Sequence, residues 1–432
     1  MNMPSLVRLL VASPLLVVAA FTTLPAAAPL PKADPDNGGL TLPAGFHAVV
    51  VADGLDGVRF LAVAQNGDIY GKLQRGGLVA LRDTDGDGRA DLREKIEADR
   101  GTGVALHDGY LYYSSATAVY RYKLAPGELV PKGEAETVVS GLPDRYLSPR
   151  PQHDAKAIAF DGDGNLYVEC GSPSNALGNP DRGPDAAGSP PEVVDEFLKT
   201  HGGFWRFDPN KLNQTQADGF HFSTGQRHIL AIAWSPVVHA MFVCQNGRDV
   251  LNVVNGQLFS EAYNAERVSE EFHILRQGSN LGWPYTFFDP IDKVRLLSPE
   301  YGGDGKKRPP AGKYPDPLIA FPAHWAPMQM ACYTATQFPT QFRNGFFVAF
   351  HGSWNRAPIQ RGYNVSFVPV DERGMPRGSY EVFADGFAGS KELHSPGDAK
   401  YRPMGVAVGP DGSLYIGSDQ GGRIWRVFYQ GE

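Results

Sequence analysis

Cysteine is scarce in this sequence, which contains only Cys170, Cys244 and Cys332 among 432 residues. Three scattered cysteines form at most one bridge, so a disulfide framework is excluded, and the lack of a C-x-x-C-H motif excludes covalently attached haem. Positive charge is also limited: 40 Lys and Arg against 47 Asp and Glu give a formal net charge of −7, which argues against nucleic acid as a partner. Beyond the N-terminus there is no apolar run long enough to span a membrane.

The N-terminus has the pattern of a secretory signal peptide. Arg8 provides positive charge, residues 9–21 form an apolar stretch, and Ala26-Ala27-Ala28 is a small-residue cleavage site. Residues 1–28 are therefore predicted to be a signal peptide, and residues 29–40, rich in Pro, Ala and Asp, a linker. The mature protein is expected to be periplasmic or secreted. An uncleaved N-terminal membrane anchor is the alternative.

Glycine and proline are abundant, with 50 and 35 residues, as turn-rich all-β proteins require. The C-terminal stretch shows a repeated use of them. Residues 406–408 and 414–416 are predicted strands joined by the turn Pro410-Asp411-Gly412, and residues 424–427 form a third strand. Such a unit cannot cover both of its apolar faces alone, so it needs neighbouring copies to pack against.

Five further copies of this unit precede the C-terminal one. They begin at residues 58–64, 102–106, 157–160, 229–234 and 345–350. In the fourth copy residues 250–254 are predicted as the third strand, and the weaker fifth copy continues at residues 362–368. Six radial sheets predict an all-β, six-bladed β-propeller over residues 41–432. The alternative, a β-sandwich with a second domain, gives no reason for the repetition.

An acidic segment after the first copy has the spacing of a twelve-residue calcium loop. Gly88 stands at the position of the sharp turn, and the predicted ligands are the acids at positions 1, 3, 5, 9 and 12 with a backbone carbonyl at position 7. These are Asp83, Asp85, Asp87, Asp91 and Glu94, with the carbonyl of Arg89. We expect this site to be structural, linking the first two blades. The alternative is a solvated Asp/Gly turn.

Cations recur just before the first strand of five of the six copies. Loops in this position crowd around one mouth of a propeller's central channel, and arginine suits carboxylates because its fork binds them in bidentate fashion. The shared position in an acidic protein therefore predicts an anion-binding site. The residues are Arg59, Arg100, His153, Lys156, Arg227, His228 and Arg402.

Four motifs resemble those of the soluble sugar dehydrogenases that depend on pyrroloquinoline quinone (PQQ), which act on glucose, aldoses or L-sorbosone. They are Gln152-His153-Asp154, the stretch 224–234 around Arg227-His228, the stretch 278–285 with Trp283-Pro284, and Tyr401-Arg402-Pro403. His351-Gly352-Ser353-Trp354-Asn355-Arg356 is most similar to the sorbosone branch. The resemblance runs from about residue 40 to the C-terminus.

The resemblance implies an exported dehydrogenase that uses PQQ and calcium to oxidise a sugar. His153 would take the proton of the sugar hydroxyl, and Arg227 would stabilise negative charge on the quinone oxygen. Carbonyl oxygens of Asn246 and Gly247 would bind the calcium at the quinone. The implied cofactor-binding residues are Lys156, Arg227, His228, Asn246, Gly247, Arg356 and Arg402, and the implied substrate residues are His324 and Trp354.

Departures from the family pattern bear on the substrate. His228 stands where the family usually has Asn, and Met404 stands where the glucose branch has a second arginine. They weaken the case for glucose as the substrate and favour an aldose, a sorbosone-like sugar or a related one. The expected external electron acceptor is a quinone or cytochrome. The insertion at residues 172–200 is predicted to cover the mouth. The alternatives are a metal-dependent lactonase on the same scaffold and a non-catalytic propeller that binds a ligand or protein.

Overall fold

The computed structural model describes residues 1, 30–144 and 153–431. Nearly all of the predicted signal peptide and Gln152 lie outside the described residues. The described chain forms six sheets, each with four antiparallel strands at its core, arranged as the blades of a propeller. The prediction of an all-β, six-bladed β-propeller is therefore confirmed. Among the described residues, no helix has the length and apolar character needed to cross a membrane.

The blades follow one another along the chain, each from its innermost to its outermost strand. The strands of blade 1 are Val58–Val63, Ile69–Leu73, Leu78–Arg82 and Leu92–Ile96; of blade 2, Val104–His107, Tyr110–Ser114, Val119–Lys123 and Glu136–Ser140; of blade 3, Ile158–Phe160, Leu166–Cys170, Gly203–Phe207 and Phe220–Thr224. Those of blade 4 are Ala231–Ser235, Ala240–Gln245, Glu270–Leu275 and Ile319–Phe321; of blade 5, Pro327–Tyr333, Gly345–His351, Tyr363–Pro369 and Glu381–Ala384; of blade 6, Arg402–Val408, Leu414–Gln420, Ile424–Tyr429 and Phe46–Ala52.

The loops between strands carry the remaining elements. The α-helices are α1 (Pro191–Leu198), α2 (Leu251–Val254) and α3 (Glu261–Glu266). Short strands pair Gly178–Asn179 with Ala187–Gly188 and Thr286–Asp289 with Val294–Leu297, while Gln214–Thr215 and Ser279–Asn280 extend blades 2 and 3. The 3₁₀ turns are Asn37–Gly39, Gln216–Asp218, Pro299–Tyr301, Thr340–Phe342 and Pro396–Asp398.

Blade 6 shows why the repeated unit folds as it does. The turn at Asp411 and Gly412 reverses the chain, since Gly412 has a φ of +86° that a residue with a side chain rarely adopts. Asp411 Oδ1 accepts a hydrogen bond from the Ser413 amide at 3.1 Å. The five residues from Leu414 that follow are all buried on both faces of the sheet, because neighbouring blades cover each side.

The ring is closed by a strand from the other end of the chain. Phe46–Ala52 pairs antiparallel with Ile424–Tyr429 and is the outermost strand of blade 6. The Phe46 ring lies edge-to-face against Phe338 at 4.8 Å and Phe383 at 5.0 Å, which joins this strand to blade 5. The sequence pattern did not predict this closure.

Two strand assignments differ from the sequence-based prediction. The prediction of residues 250–254 as a strand is wrong: Leu251–Val254 is helix α2, and the third strand of blade 4 is Glu270–Leu275. Val250 has a φ of +52°, which ends any extended run, and the helical turn buries Leu251 and Val254. In blade 5, residues 345–350 lie in the second strand, because Pro327–Tyr333 precedes it as the first.

One end of the ring, here called the mouth, collects the loops that lead into each first strand and those that follow each second strand. This is a consequence of antiparallel pairing within every blade. Gln329, on the first strand of blade 5, exchanges two hydrogen bonds of 2.8 Å with the backbone of Leu61 and accepts one of 3.0 Å from Val406. The first strands of blades 5, 6 and 1 therefore meet at the centre of the ring.

Candidate functional site

Two histidines stack at the mouth between blades 3 and 4. The rings of His153 and His228 are 4.5 Å apart and inclined by 18°. His153 Nδ1 donates to the carbonyl of Ser172, and His228 Nδ1 lies 3.1 Å from Glu169 Oε1. Since a carbonyl and a carboxylate only accept, both Nδ1 atoms carry hydrogen.

The predicted base His153 lies in an environment that keeps it uncharged. Burial lowers its pKa well below 6.5, and the positive charges of Arg227, His228 and Arg182 lower it further. Its backbone has a φ of +54°, which is uncommon for a residue with a side chain and is held by the surrounding contacts. An uncharged imidazole with a lone pair on Nε2 can accept a proton.

Asp249 is the centre of a buried ion-pair cluster beside these histidines. Arg227 Nη2 and Arg182 Nη1 both lie 2.5 Å from Asp249 Oδ2, and Asn355 Nδ2 donates to Oδ1 at 2.7 Å. Burial alone would raise the pKa of Asp249, but the charges of Arg227, Arg182 and His324 outweigh it and hold the pKa well below its usual value. The cluster joins loops of blades 3, 4 and 5.

The insertion at residues 172–200 reaches this cluster through two of its residues. Arg182 pairs with the Asp249 carboxylate. The Asn175 side chain accepts a hydrogen bond of 2.9 Å from the Asp249 amide and donates one of 3.0 Å to the Asp249 carbonyl. The indole of Trp283 in turn donates to the Asn175 carbonyl at 2.8 Å. The insertion is therefore fastened to the mouth by Asn175 and Arg182, and its role as a cover of the mouth stays a prediction.

The predicted calcium-binding pair Asn246 and Gly247 follows the second strand of blade 4. The Gly247 carbonyl already accepts a hydrogen bond of 2.9 Å from Arg227 Nη1, and its amide donates to Glu270 Oε2 at 2.7 Å. Asn246 Nδ2 donates to the carbonyl of Pro327 at 3.0 Å. Glu270 also accepts from the Ala326 amide at 3.0 Å, and burial raises its pKa to about 7.

A second acidic centre gathers the cations of blades 1, 5 and 6. Asp419 Oδ1 lies 2.7 Å from His351 Nε2, and Asp419 Oδ2 lies 3.6 Å from Arg59 Nη1. Arg402 donates to the carbonyls of His351 and Gly352, both at 2.9 Å. Burial opposes ionisation of Asp419, but His351, Arg59 and Arg402 outweigh it and lower the pKa of its carboxyl.

A cavity of about 240 Å³ opens beside this second centre. Arg59, Arg100, Gln74, Thr102 and Asp154 are among its lining residues. Arg59 Nε donates to Thr102 Oγ1 at 3.0 Å, which fixes one guanidinium in the wall. Two arginines in a small polar cavity can hold an anionic group.

The other predicted site residues lie apart from the stacked histidines. Lys156 is fully buried and donates to the Asp154 carbonyl at 3.0 Å. Arg356 is buried against helix α3, where it donates to the Ala265 carbonyl at 2.5 Å and pairs with Glu266. His324 Nε2 lies 2.7 Å from the Asn264 carbonyl, with Nδ1 3.8 Å from Asp249. Trp354 is 56% exposed.

The predicted calcium loop lies at the opposite end of the ring from the mouth, between the third and fourth strands of blade 1. Asp83, Asp85 and Asp91 offer oxygens within 4.8 Å of one another. Glu94 is instead part of the strand Leu92–Ile96, opposite Ala80. The loop therefore lies within blade 1, and the expectation that it links blades 1 and 2 is wrong, because that expectation counted only three strands per blade.

Sequence reasoning missed the acids that organise the mouth. Glu169, Asp249, Glu270 and Asp419 each bind groups on loops far away in the chain. Asp249 belongs to the loop that carries Asn246 and Gly247, which was its one available signal. The cations were visible because they lie at or just before first strands, whereas Glu169, Asp249 and Asp419 lie on or just after second strands and Glu270 begins a third strand.

Comparisons with known proteins place the chain in a family. The TrAA12-like family matches residues 40–288 and 303–430. A Trichoderma reesei structure from Carbohydrate-Active Enzymes Family AA12 is 17% identical, with a TM-score of 0.74, covering 91% of this chain and 98% of that one. The holo form of the PQQ domain of pyranose dehydrogenase from Coprinopsis cinerea is 18% identical, with a TM-score of 0.69, covering 93% and 98%.

Curated sequences match over shorter stretches. The PQQ-dependent pyranose dehydrogenase of Coprinopsis cinerea is 30% identical over 203 residues, which are 40% of this chain and 26% of that protein. The chain thus spans half or less of the length of the curated relatives that it matches. With the family matched across most of the ring, the chain belongs to the TrAA12-like family and has the fold of the soluble PQQ-dependent sugar dehydrogenases that its motifs resemble.

Proposed function

We propose that the protein is an oxidoreductase that uses PQQ to oxidise a sugar. The observation that supports this most is the meeting of His153, His228 and Arg227 at the mouth of a ring that belongs to the TrAA12-like family. An uncharged histidine base beside a buried arginine is the arrangement that removal of a hydroxyl proton next to a developing negative charge requires.

The residues at the mouth fit a group with three carboxylates. Arg59 and Arg100 line one cavity, and Arg402 lies near Asp419 in the same part of the mouth. Arg227 Nε is buried and, among the described residues, has no hydrogen-bond acceptor. A buried donor without a partner is costly, so a bound acceptor at that position would remove a penalty. When bound, PQQ supplies an ortho-quinone that accepts two electrons.

Each residue at the mouth has a separate role in the proposed oxidation. The lone pair on His153 Nε2 accepts the proton of the substrate hydroxyl, while the Ser172 carbonyl holds the opposite nitrogen. Arg227, kept in place by Asp249 and by the Gly247 carbonyl, provides the positive charge that stabilises a developing oxyanion. Burial lowers the pKa of Arg227 only to about 10, so it remains charged at neutral pH.

We further propose an aldose, a sorbosone-like sugar or a related pyranose as the substrate and a quinone or cytochrome as the electron acceptor. Trp354 and His324 remain the proposed substrate residues. Calcium is proposed both beside the carbonyls of Asn246 and Gly247 and in the loop with Asp83, Asp85 and Asp91. The signal-peptide pattern supports a periplasmic or secreted location.

The test begins with purified protein mixed with PQQ and Ca²⁺. A difference spectrum measures uptake of the quinone, and dye reduction with a panel of aldoses, sorbosone and pyranoses measures oxidation. Arg227→Ala should weaken PQQ uptake roughly 10-fold or more, since it removes a charged hydrogen-bond donor. Arg373→Ala is the matched control, because Arg373 is exposed and pairs with Asp371 at the far end.

Two outcomes would contradict the proposal. Hydrolysis of lactones with a divalent cation and no quinone uptake would favour the lactonase alternative. Neither uptake nor hydrolysis, with the unmodified protein folded, would favour a propeller that only binds a ligand or a protein.

A further inference from the structure

We propose that Glu169 is a positioning residue that fixes the orientation and tautomer of the two histidines at the mouth. This inference rests on the proposed oxidoreductase function and assigns a role to a residue that neither the motifs nor the comparisons single out. Glu169 lies on the second strand of blade 3 and is 1% exposed. It acts through His228, which stacks on His153.

The carboxylate of Glu169 spans two blades. Its Oε1 receives His228 Nδ1 at 3.1 Å and the Ile229 amide at 3.3 Å, both on the loop that leads into blade 4. Because a carboxylate cannot donate, the His228 ring has a hydrogen on Nδ1. The orientation of this ring is thereby fixed from blade 3.

The same short segment fixes the second ring. Ser172, three residues after Glu169, offers its carbonyl to His153 Nδ1, and its amide donates to the Arg227 carbonyl at 2.8 Å. Residues 169–172 therefore hold both histidines through the same nitrogen. Each ring therefore carries a hydrogen on Nδ1, and the uncharged His153 has Nε2 as its acceptor.

Gly171 is the residue that lets this segment approach the rings. A Cβ at this position would lie 2.5 Å from Glu169 Oε1, 2.9 Å from the His153 carbonyl oxygen and 3.0 Å from His228 Nδ1. Such a carbon would enter the space between all three residues. The close packing of Glu169, His153 and His228 thus depends on the missing side chain.

A purely structural role for Glu169 would be better served by glutamine. Glutamine could accept from the Ile229 amide without placing a charge in the protein interior. Instead, Glu169 Oε2 is buried and receives no hydrogen bond from the part of the chain that the structure describes. Burying a carboxylate with an unpaired oxygen costs free energy, and its charge strengthens the hydrogen bond that Oε1 accepts from His228 Nδ1.

The groups facing the histidine pair are Glu169, Arg227, Arg182 and the backbone of Ser172. In Glu169→Leu, no acceptor faces His228 Nδ1, so nothing holds the hydrogen on that nitrogen. We expect a loss of Nδ1–H on His228 in this variant and a loss in kcat of roughly 10- to 100-fold, the range for residues that orient a reacting group. PQQ affinity and KM should change little.

The primary measurement is ¹⁵N NMR of the histidine rings in protein without PQQ, at one fixed pH. Nδ1–H on both His153 and His228 in the unmodified protein, with loss of Nδ1–H on His228 in Glu169→Leu, would support the proposal. An Nδ1 without hydrogen on either ring of the unmodified protein, or unchanged hydrogen positions and kcat in the variant, would overturn it. Glu136→Gln, which alters an ion pair with Arg121 in blade 2, is the control.

This design separates the inference from the proposed function. If the unmodified protein takes up no PQQ, the function fails, yet the NMR measurement still decides the tautomers because it needs no cofactor. If Glu169→Leu does not fold, the hydrogen positions of the unmodified protein decide alone, with an Nδ1 that carries no hydrogen on either ring as the contradicting result.

Discussion

Arg227 and Asp249 form an ion pair in which Nη2 lies 2.5 Å from Oδ2, and their side chains are only 4% and 10% exposed. Arg227 comes from the loop that leads into blade 4, and Asp249 follows the second strand of the same blade. The pair therefore ties the two ends of one hairpin across the mouth. Its position makes it both a stabilising contact and a holder of the proposed electrostatic catalyst.

Asp249→Asn should destabilise the protein by about 3–5 kcal/mol at pH 7, because it leaves buried arginine charges uncompensated. The folded-state pKa of Asp249 is lowered below 3.8, so its stabilising effect is complete above that pH and is lost only as the pH falls further. Urea unfolding of variant and unmodified protein between pH 7 and pH 3 checks this. Asp371→Asn, in an exposed loop, should not change the midpoint. A difference that disappears already near pH 6 would contradict the prediction.

His153→Ala should lower kcat by roughly 10²- to 10⁴-fold, the usual contribution of a general base, while PQQ is still taken up. The pKa of His153 is lowered well below 6.5 by burial and by Arg227. The base is therefore lost only below that pH, and the acid limb of the kcat profile should lie under pH 6.5. Stopped-flow reduction measured from pH 4 to pH 9 tests both expectations. Full activity in the variant would remove His153 from the mechanism.

Glu270→Gln should make stability less dependent on pH. Burial raises the pKa of Glu270 from 4.5 to about 7, so the folded protein binds a proton more tightly than the unfolded chain does. Stability therefore falls as the pH rises from about 4.5 through 7, by up to roughly 3 kcal/mol. Thermal unfolding at pH 5 and pH 8 should show a smaller decrease in the variant. An equal decrease in both proteins would contradict the assignment.

Calcium should raise the thermal unfolding midpoint of the protein, and Asp83→Asn combined with Asp91→Asn should reduce that rise, with any remainder due to the site proposed beside Asn246 and Gly247. The reason is that a bound cation neutralises three close carboxylates in the folded state alone. Glu94→Gln is the informative control, since Glu94 lies on the neighbouring strand. It should keep the calcium response. Loss of the calcium response in Glu94→Gln would show that Glu94 is also a calcium ligand, as the full twelve-residue loop predicts.

The number of blades was predictable because hairpins repeat locally, whereas long insertions obscured two of the strands. The apolar run at residues 250–254 has the composition of a strand, yet it follows a turn and buries only one side of a helical turn. The strand Pro327–Tyr333 begins with proline and carries Gln329, which faces the backbone of other blades. Periodicity cannot reveal a residue whose partners are 268 positions away.

The cations at the mouth could be predicted from the sequence, whereas the acids could not. Arg59, Arg227 and Arg402 lie at or just before first strands, and this shared position is visible in a single sequence. Glu169 lies in a fully buried strand, where a carboxylate is unexpected, and only the neighbouring blade explains its presence. Which charges compensate one another depends on loop packing, and the sequence pattern contains no record of it.

The closure strand Phe46–Ala52 determines when the ring can close during protein synthesis. Its partner Ile424–Tyr429 is made long after it, so the early strand keeps an unpaired edge until residues 424–429 have been synthesised. Five blades can form during elongation, but the ring closes only after residues 424–429 have been made. A nascent chain that stalls before residue 424 is thus an unclosed ring with unpaired strand edges, which chaperones can bind.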